Sequence, residues 1–102
     1  MFGGLKDKWK QLQEMQQKVE EVKKLLATVS VVAKNEDASI RVICNGNREI
    51  EEIIIDRSKY PVDDGFIKEL IKTLNEALQQ SKNLEEGEMR NIAGNFLPGM
   101  DL

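Results

Sequence analysis

Apolar residues fall at Leu5, Trp9, Leu12, Met15, Val19, Val22 and Leu26, always three or four positions apart. Only an α-helix, with its 3.6-residue turn, gathers that spacing onto one face. No Gly or Pro interrupts the stretch, and Glu14–Lys18 and Glu20–Lys24 have the i,i+4 order that supports a helix. At about 1.5 Å per residue, a helix over residues 5–27 extends roughly 34 Å. In a chain of 102 residues this one element limits what the rest can build, because the remaining chain has to cover its apolar stripe.

The period then changes. In TVSVVAK, Val29, Val31 and Ala33 alternate, and in SIRVICNGNREI, Ile40, Val42 and Cys44 share a face. Period-two alternation reads as strand. Asn45-Gly46 between the second and third runs is a hairpin signal. The third run has Ile50, then Ile53 and Ile55, so the alternation slips at Glu51-Glu52, which predicts a bulge there. Past Pro61, Asp63 or Asp64 suits a helix N-cap, and Phe66, Ile67, Leu70, Ile71, Leu74, Ala77 and Leu78 recur at helical spacing. This helix is expected to continue past Leu84 and to weaken at Gly87. The order is α-β-β-β-α: an α+β fold with a three-stranded antiparallel sheet. We read residues 1–102 as a single domain with a flexible start at 1–4 and a tail at 94–102. Strands of six or seven residues span only about 20 Å. A sheet of that size leaves the far end of the first helix bare, so the expectation is a homodimer with Leu12, Met15, Val19, Val22 and Leu26 at its interface.

Residue types narrow the function. The chain has no His and a single Cys, Cys44. Cys–His or Ser–His nucleophile pairs and zinc sites are excluded, and Cys44 reads as a small core hydrophobe. The expectation is a non-enzyme with no cofactor and no metal. No apolar run is long enough to span a bilayer, and none near the start resembles a signal peptide's apolar region. A lone Cys suits a reducing cytoplasm. Net charge is −3, unevenly spread: residues 1–27 hold six lysines against four acids, whereas residues 60–102 hold four bases against eight. Within 1–10, Lys6, Lys8 and Lys10 face only Asp7. Trp9, lying on the stripe, is expected to pack, and the glutamines around it to be solvated.

The opening MFGGL, the helix segment EMQQKVEEV, the NG hairpin, the strand end IIID, the DD helix start and the late LPG occur in this order along nearly the whole chain. Together they resemble the YbaB/EbfC family of nucleoid-associated proteins. The resemblance implies an intertwined homodimer of α-β-β-β-α subunits in the bacterial cytoplasm, associated with the nucleoid. Its paired helices would project like tweezers and bind duplex DNA. Carried onto this sequence, the DNA-contacting arms fall on the first helix, with Lys6, Lys8 and Lys10 near its tip. The second arm falls on the end of the last helix, where Lys82 and Arg90 are the bases, beside Glu85, Glu86 and Glu88. The expected contacts are with phosphates, with little base readout, because lysine acts on phosphate as a point charge. The alternative is a structural or interaction module whose acidic last helix and tail bind a partner protein. A membrane-surface role for the Lys/Trp helix is the weakest reading, given its acids and the sheet that follows.

Overall fold

The computed structural model describes residues 2–59, 61 and 63–96. Helix α1 spans Phe2–Leu26, strands β1, β2 and β3 span Ser30–Lys34, Ile40–Asn45 and Ile50–Ile55, and helix α2 spans Asp64–Phe96. The sheet is antiparallel throughout, in the order β1-β2-β3. Helix α1 starts in the segment read as a flexible start, and α2 runs three residues into the segment read as tail. From residue 97 onward that tail lies outside the described residues.

Two cores share α2. Its first half lies across one face of the sheet, where Phe66, Leu70, Leu74 and Ala77 meet Val31, Ala33, Ile40, Val42 and Cys44. The alternation in β2 places Ile40, Val42 and Cys44 on the covered face, all at 0% exposure. Ile43 pairs with Glu52 and Cys44 with Ile50, leaving Glu51 as the extra residue of a bulge. The bulge brings Ile50, Ile53 and Ile55 onto the same face as their partners Cys44, Val42 and Ile40. Asp63 is the N-cap of α2: its Oδ1 accepts from the Phe66 amide at 3.0 Å.

The second half of α2 packs on α1, where Val22, Leu26 and Ile92 form a core flanked by Met15, Val19, Leu84 and Met89. Part of the cover of the stripe therefore comes from within the chain. Val22 and Leu26 are buried by the chain's own α2, whereas Leu12 remains exposed and Met15 and Val19 are half-buried. The reason is the length of α2, 33 residues, which continues through Gly87. A glycine inside a helix costs only about 1 kcal/mol. Burying a side chain such as Ile92 contributes about 1.5–3 kcal/mol, so packing wins. The paired helices make the molecule long. Its radius of gyration is 19.5 Å and its longest extent 70 Å, against about 13 Å for a compact domain of 100 residues.

The β2–β3 loop joins the two cores. The Asn45-Gly46 signal marks a hairpin, but the connection is residues 46–49 rather than a two-residue turn. Arg48 takes the left-handed conformation (φ 63°). The Gly46 amide donates to the Leu26 carbonyl at 2.8 Å, and Asn47 Nδ2 donates to the Lys23 carbonyl at 2.9 Å. Two carbonyls of the last turn of α1, which also accept from the Ala27 and Val29 amides, thereby gain a second donor from a loop some twenty residues downstream. On the other side, buried Ser81 of α2 donates to the Asn45 carbonyl and accepts from the Arg48 amide. Gly46 is required for close approach: a Cβ there would stand 2.8 Å from Leu26 Cδ2 and 2.9 Å from the Leu26 carbonyl oxygen.

Two glycine substitutions should therefore have opposite effects in denaturant unfolding. Gly46→Ala should destabilise by about 1–3 kcal/mol, because it overpacks against backbone. Gly87→Ala, where a Cβ meets nothing within 4 Å, should stabilise by about 0.5–1 kcal/mol.

Candidate functional site

Pairing of α2 with α1 begins near Leu26 and reaches Met15. The N-terminal turns of α1 extend beyond it. Lys6, Lys8 and Lys10 all lie exposed on this projecting segment. At about 100° of rotation per residue, Lys6 and Lys10 fall on one flank of the apolar stripe and Lys8 on the other. Between them, Leu5, Trp9 and Leu12 are 58%, 67% and 50% exposed. The expectation that Trp9 packs is thus not met within the single chain: its stripe continues, but α2 does not follow it that far.

The two helices begin differently. The first turn of α2 holds Asp64 and is capped by Asp63, whereas the first turn of α1 contains no acid. The N-terminal end of a helix carries positive potential and unpaired amides. Placing lysines close to such an end adds like charge to like, a local cost that an external anion would offset.

The other two bases considered as DNA contacts are not brought to this tip. Arg90, between Met89 and Ile92, belongs to the stretch of α2 that packs on α1, short of the projecting turns. Lys82 lies farther still from the tip, next to Ser81 at the β2–β3 loop. Lys82 also faces Glu86 at 3.9 Å, and Arg48 reaches Glu85 at 3.4 Å. Glutamates therefore surround the basic residues of α2. On α1, Lys18 pairs with Glu21 at 3.6 Å rather than with the expected Glu14.

At the opposite end of the molecule, a polar cleft lies between the β1–β2 turn and α2. Its walls carry Glu36, Asp37, Glu69 and Glu76 against Lys34 and Lys72. Hydrogen bonds from Ser39 hold the Asp37 carboxyl below its usual range, with a smaller contribution from Lys59. A cleft with this excess of carboxylates repels a polyanion, which leaves the helix tip as the cationic end. Cys44 has no place in a site: its thiol is buried, donates to the Ala77 carbonyl at 3.4 Å, and burial pushes its pKa up. No group of His, Cys, Asp and Glu suited to a metal ion occurs among the described residues.

What sequence reasoning missed is the joint: Ser81, Asn47 and Gly46, which set where the arm starts. Asn45-Gly46 was visible as a turn, but nothing local shows that the loop meets Leu26.

Comparison with known proteins matches residues 1–96 to the YbaB/EbfC DNA-binding family. A nucleoid-associated protein of Myxococcus xanthus is 35% identical over 94 residues, covering 89% of this chain and 90% of that protein. One of Flavobacterium johnsoniae is 31% identical over 93 residues, covering 88% of each. A solved structure of an uncharacterized protein from Helicobacter pylori superposes with a TM-score of 0.64 at 23% identity, covering 84% of this chain and 98% of that one.

The geometry ranks the bases. Lys82→Gln should change stability by less than about 0.5 kcal/mol, since exposed i,i+4 pairs contribute little. It should also weaken DNA binding less than any single Gln substitution at Lys6, Lys8 or Lys10, measured by mobility shift.

Proposed function

The chain belongs to the YbaB/EbfC DNA-binding family, and from that premise we propose that it is a nucleoid-associated protein that binds duplex DNA as a homodimer. The observation that carries this reading is the exposed cluster of Lys6, Lys8 and Lys10 at the projecting end of α1, on an otherwise acidic chain. The lysines neutralise phosphates, and the N-terminal helix amides add to the attraction. Lys82 and Arg90, farther along the arm and beside glutamates, contribute less. No enzyme chemistry, cofactor or metal is needed for this function, and its place is the bacterial cytoplasm, at the nucleoid.

Dimerisation is supported by apolar surface that the single chain leaves open. Ile50 and Ile53 of β3 are 40% and 42% exposed, and Ile67 and Ile71 of α2 are 47% and 52% exposed. Ile67 and Ile71 occupy the flank of α2 opposite the polar cleft, toward β3. A second copy burying this surface removes four isoleucines from water and doubles the number of basic tips. Of the interface residues read from the stripe, Leu12, Met15 and Val19 retain surface for such a copy, while Val22 and Leu26 support it from within the arm.

Light scattering at micromolar concentration should give the mass of a dimer; a monomer would remove this part of the proposal. The DNA-binding part rests on Lys6, Lys8 and Lys10 changed together to Gln. With six such lysines in a dimer, full engagement gives a slope of log affinity against log salt on the order of −5. The triple variant should remain folded, bind all DNA sequences more weakly, and show a flatter salt dependence. Parent-like binding at low salt would assign the basic tip to solubility and favour a protein-interaction role instead.

A further inference from the structure

We propose that Trp9 is a base-stacking residue: at the tip of the arm the lysines hold phosphates on either side while the indole stacks on a nucleobase exposed at an unpaired or opened step. The proposal rests on the DNA-binding reading and deepens it. Its observation is the juxtaposition on one helix end. Trp9 is 67% exposed, with Leu5 and Leu12 beside it on the same stripe, also half or more exposed. Lys6 and Lys10 stand on one flank and Lys8 on the other.

Charge selects the occupant. A second copy seated over Leu5 and Trp9, beyond the Leu12–Val19 surface proposed for the dimer, would bring the lysines of two tips within a Debye length of each other, about 8–10 Å in ordinary buffer, with only Asp7 among residues 1–10 to offset them. A lipid surface needs a helix able to lie flat in the interface, but from Met15 onward α1 is packed against α2. A polyanion that also offers flat apolar faces satisfies both the lysines and the indole, and nucleic acid is such a ligand.

Geometry then selects the kind of step. A helix with its side chains is about 10–12 Å across, close to the roughly 12 Å width of the major groove. Lysines on opposite flanks reach phosphates of opposite strands while the stripe faces the bases. A regular duplex presents base edges there, which give an indole little to stack on. A π-face becomes available only where a step is unstacked or a base unpaired, and stacking of that kind tolerates any sequence. The consequence is a preference for locally opened DNA over perfectly paired DNA, without base-sequence readout.

Trp9 is the only tryptophan in the chain, so its fluorescence reports the contact directly. The experiment titrates the full-length protein with two duplexes of equal length, one fully paired and one with a short central mismatched bubble. Emission should be quenched by the bubble DNA, which should bind at least about fivefold tighter than paired DNA. Trp9→Ala should abolish the preference while retaining salt-sensitive binding to paired DNA. Trp9→Phe should keep part of the preference, whereas Trp9→Leu, apolar but without a ring, should lose it. Circular dichroism establishes that each variant is folded. Equal affinity for the two DNAs, or emission unmoved by bound DNA, overturns the stacking role alone and leaves the DNA-binding reading standing. Failure of the parent to bind either DNA overturns both. A blue shift with anionic vesicles but not with DNA, or one that follows protein concentration alone, assigns the stripe to a membrane or to a second copy and overturns the proposal.

Discussion

The hydrogen bond from the Gly46 amide to the Leu26 carbonyl is the contact on which the architecture depends. It fastens the end of α1 to the β2–β3 loop, and the same loop is fastened to the middle of α2 through Ser81. With both anchors set, α2 serves two cores in sequence: first the sheet, then α1. The pairing of Val22 and Leu26 with Ile92 follows from that placement. So does the exposure of Leu5, Trp9 and Leu12, which the described residues of α2 do not cover. A bulkier residue at position 46 would press on the Leu26 carbonyl oxygen as well as on the buried Leu26 side chain, so the joint has little room to yield.

The charge distribution gains meaning from this shape. A net charge of −3 alone argues against a polyanionic partner. The fold separates the charges: carboxylates gather around the sheet-end cleft and along α2, while three lysines stand at the far tip. A molecule 70 Å long keeps these ends many Debye lengths apart, so the positive potential of the tip is little offset by the body. On the proposed function the acidic body would limit contact to the tip, because DNA lying along α2 would meet Glu85, Glu86 and Glu88.

Features with a local cause were legible in the sequence. The stripe from Leu5 to Leu26 announced the helix, the slip at Glu51-Glu52 announced the bulge, and Asp63 stood where an N-cap belongs. Features set by tertiary contact were not. Gly87 reads locally as a weak point of the helix, and Leu84, Met89 and Ile92 gain enough from α1 to carry the helix through it. For the same reason the packing of α2 on Val22 and Leu26 within one chain was not legible. Of the site, the Lys6–Lys8–Lys10 cluster was readable as charge. The distance of Lys82 and Arg90 from it was not, because that distance depends on where the loop fastens α2. The exposure of Trp9 was hidden for a related reason: a stripe shows which residues share a face, not how far a partner helix extends along it.

The central claim is that DNA meets the protein at the projecting end of α1. Lysine reactivity tests it without altering a residue. The protein is acetylated briefly, free and saturated with duplex DNA, and modification at each lysine is read by mass spectrometry. The account predicts protection at Lys6, Lys8 and Lys10, with Lys34, Lys68 and Lys72 near the sheet modified equally in both states. Protection of the sheet-end lysines with the tip left reactive would contradict it.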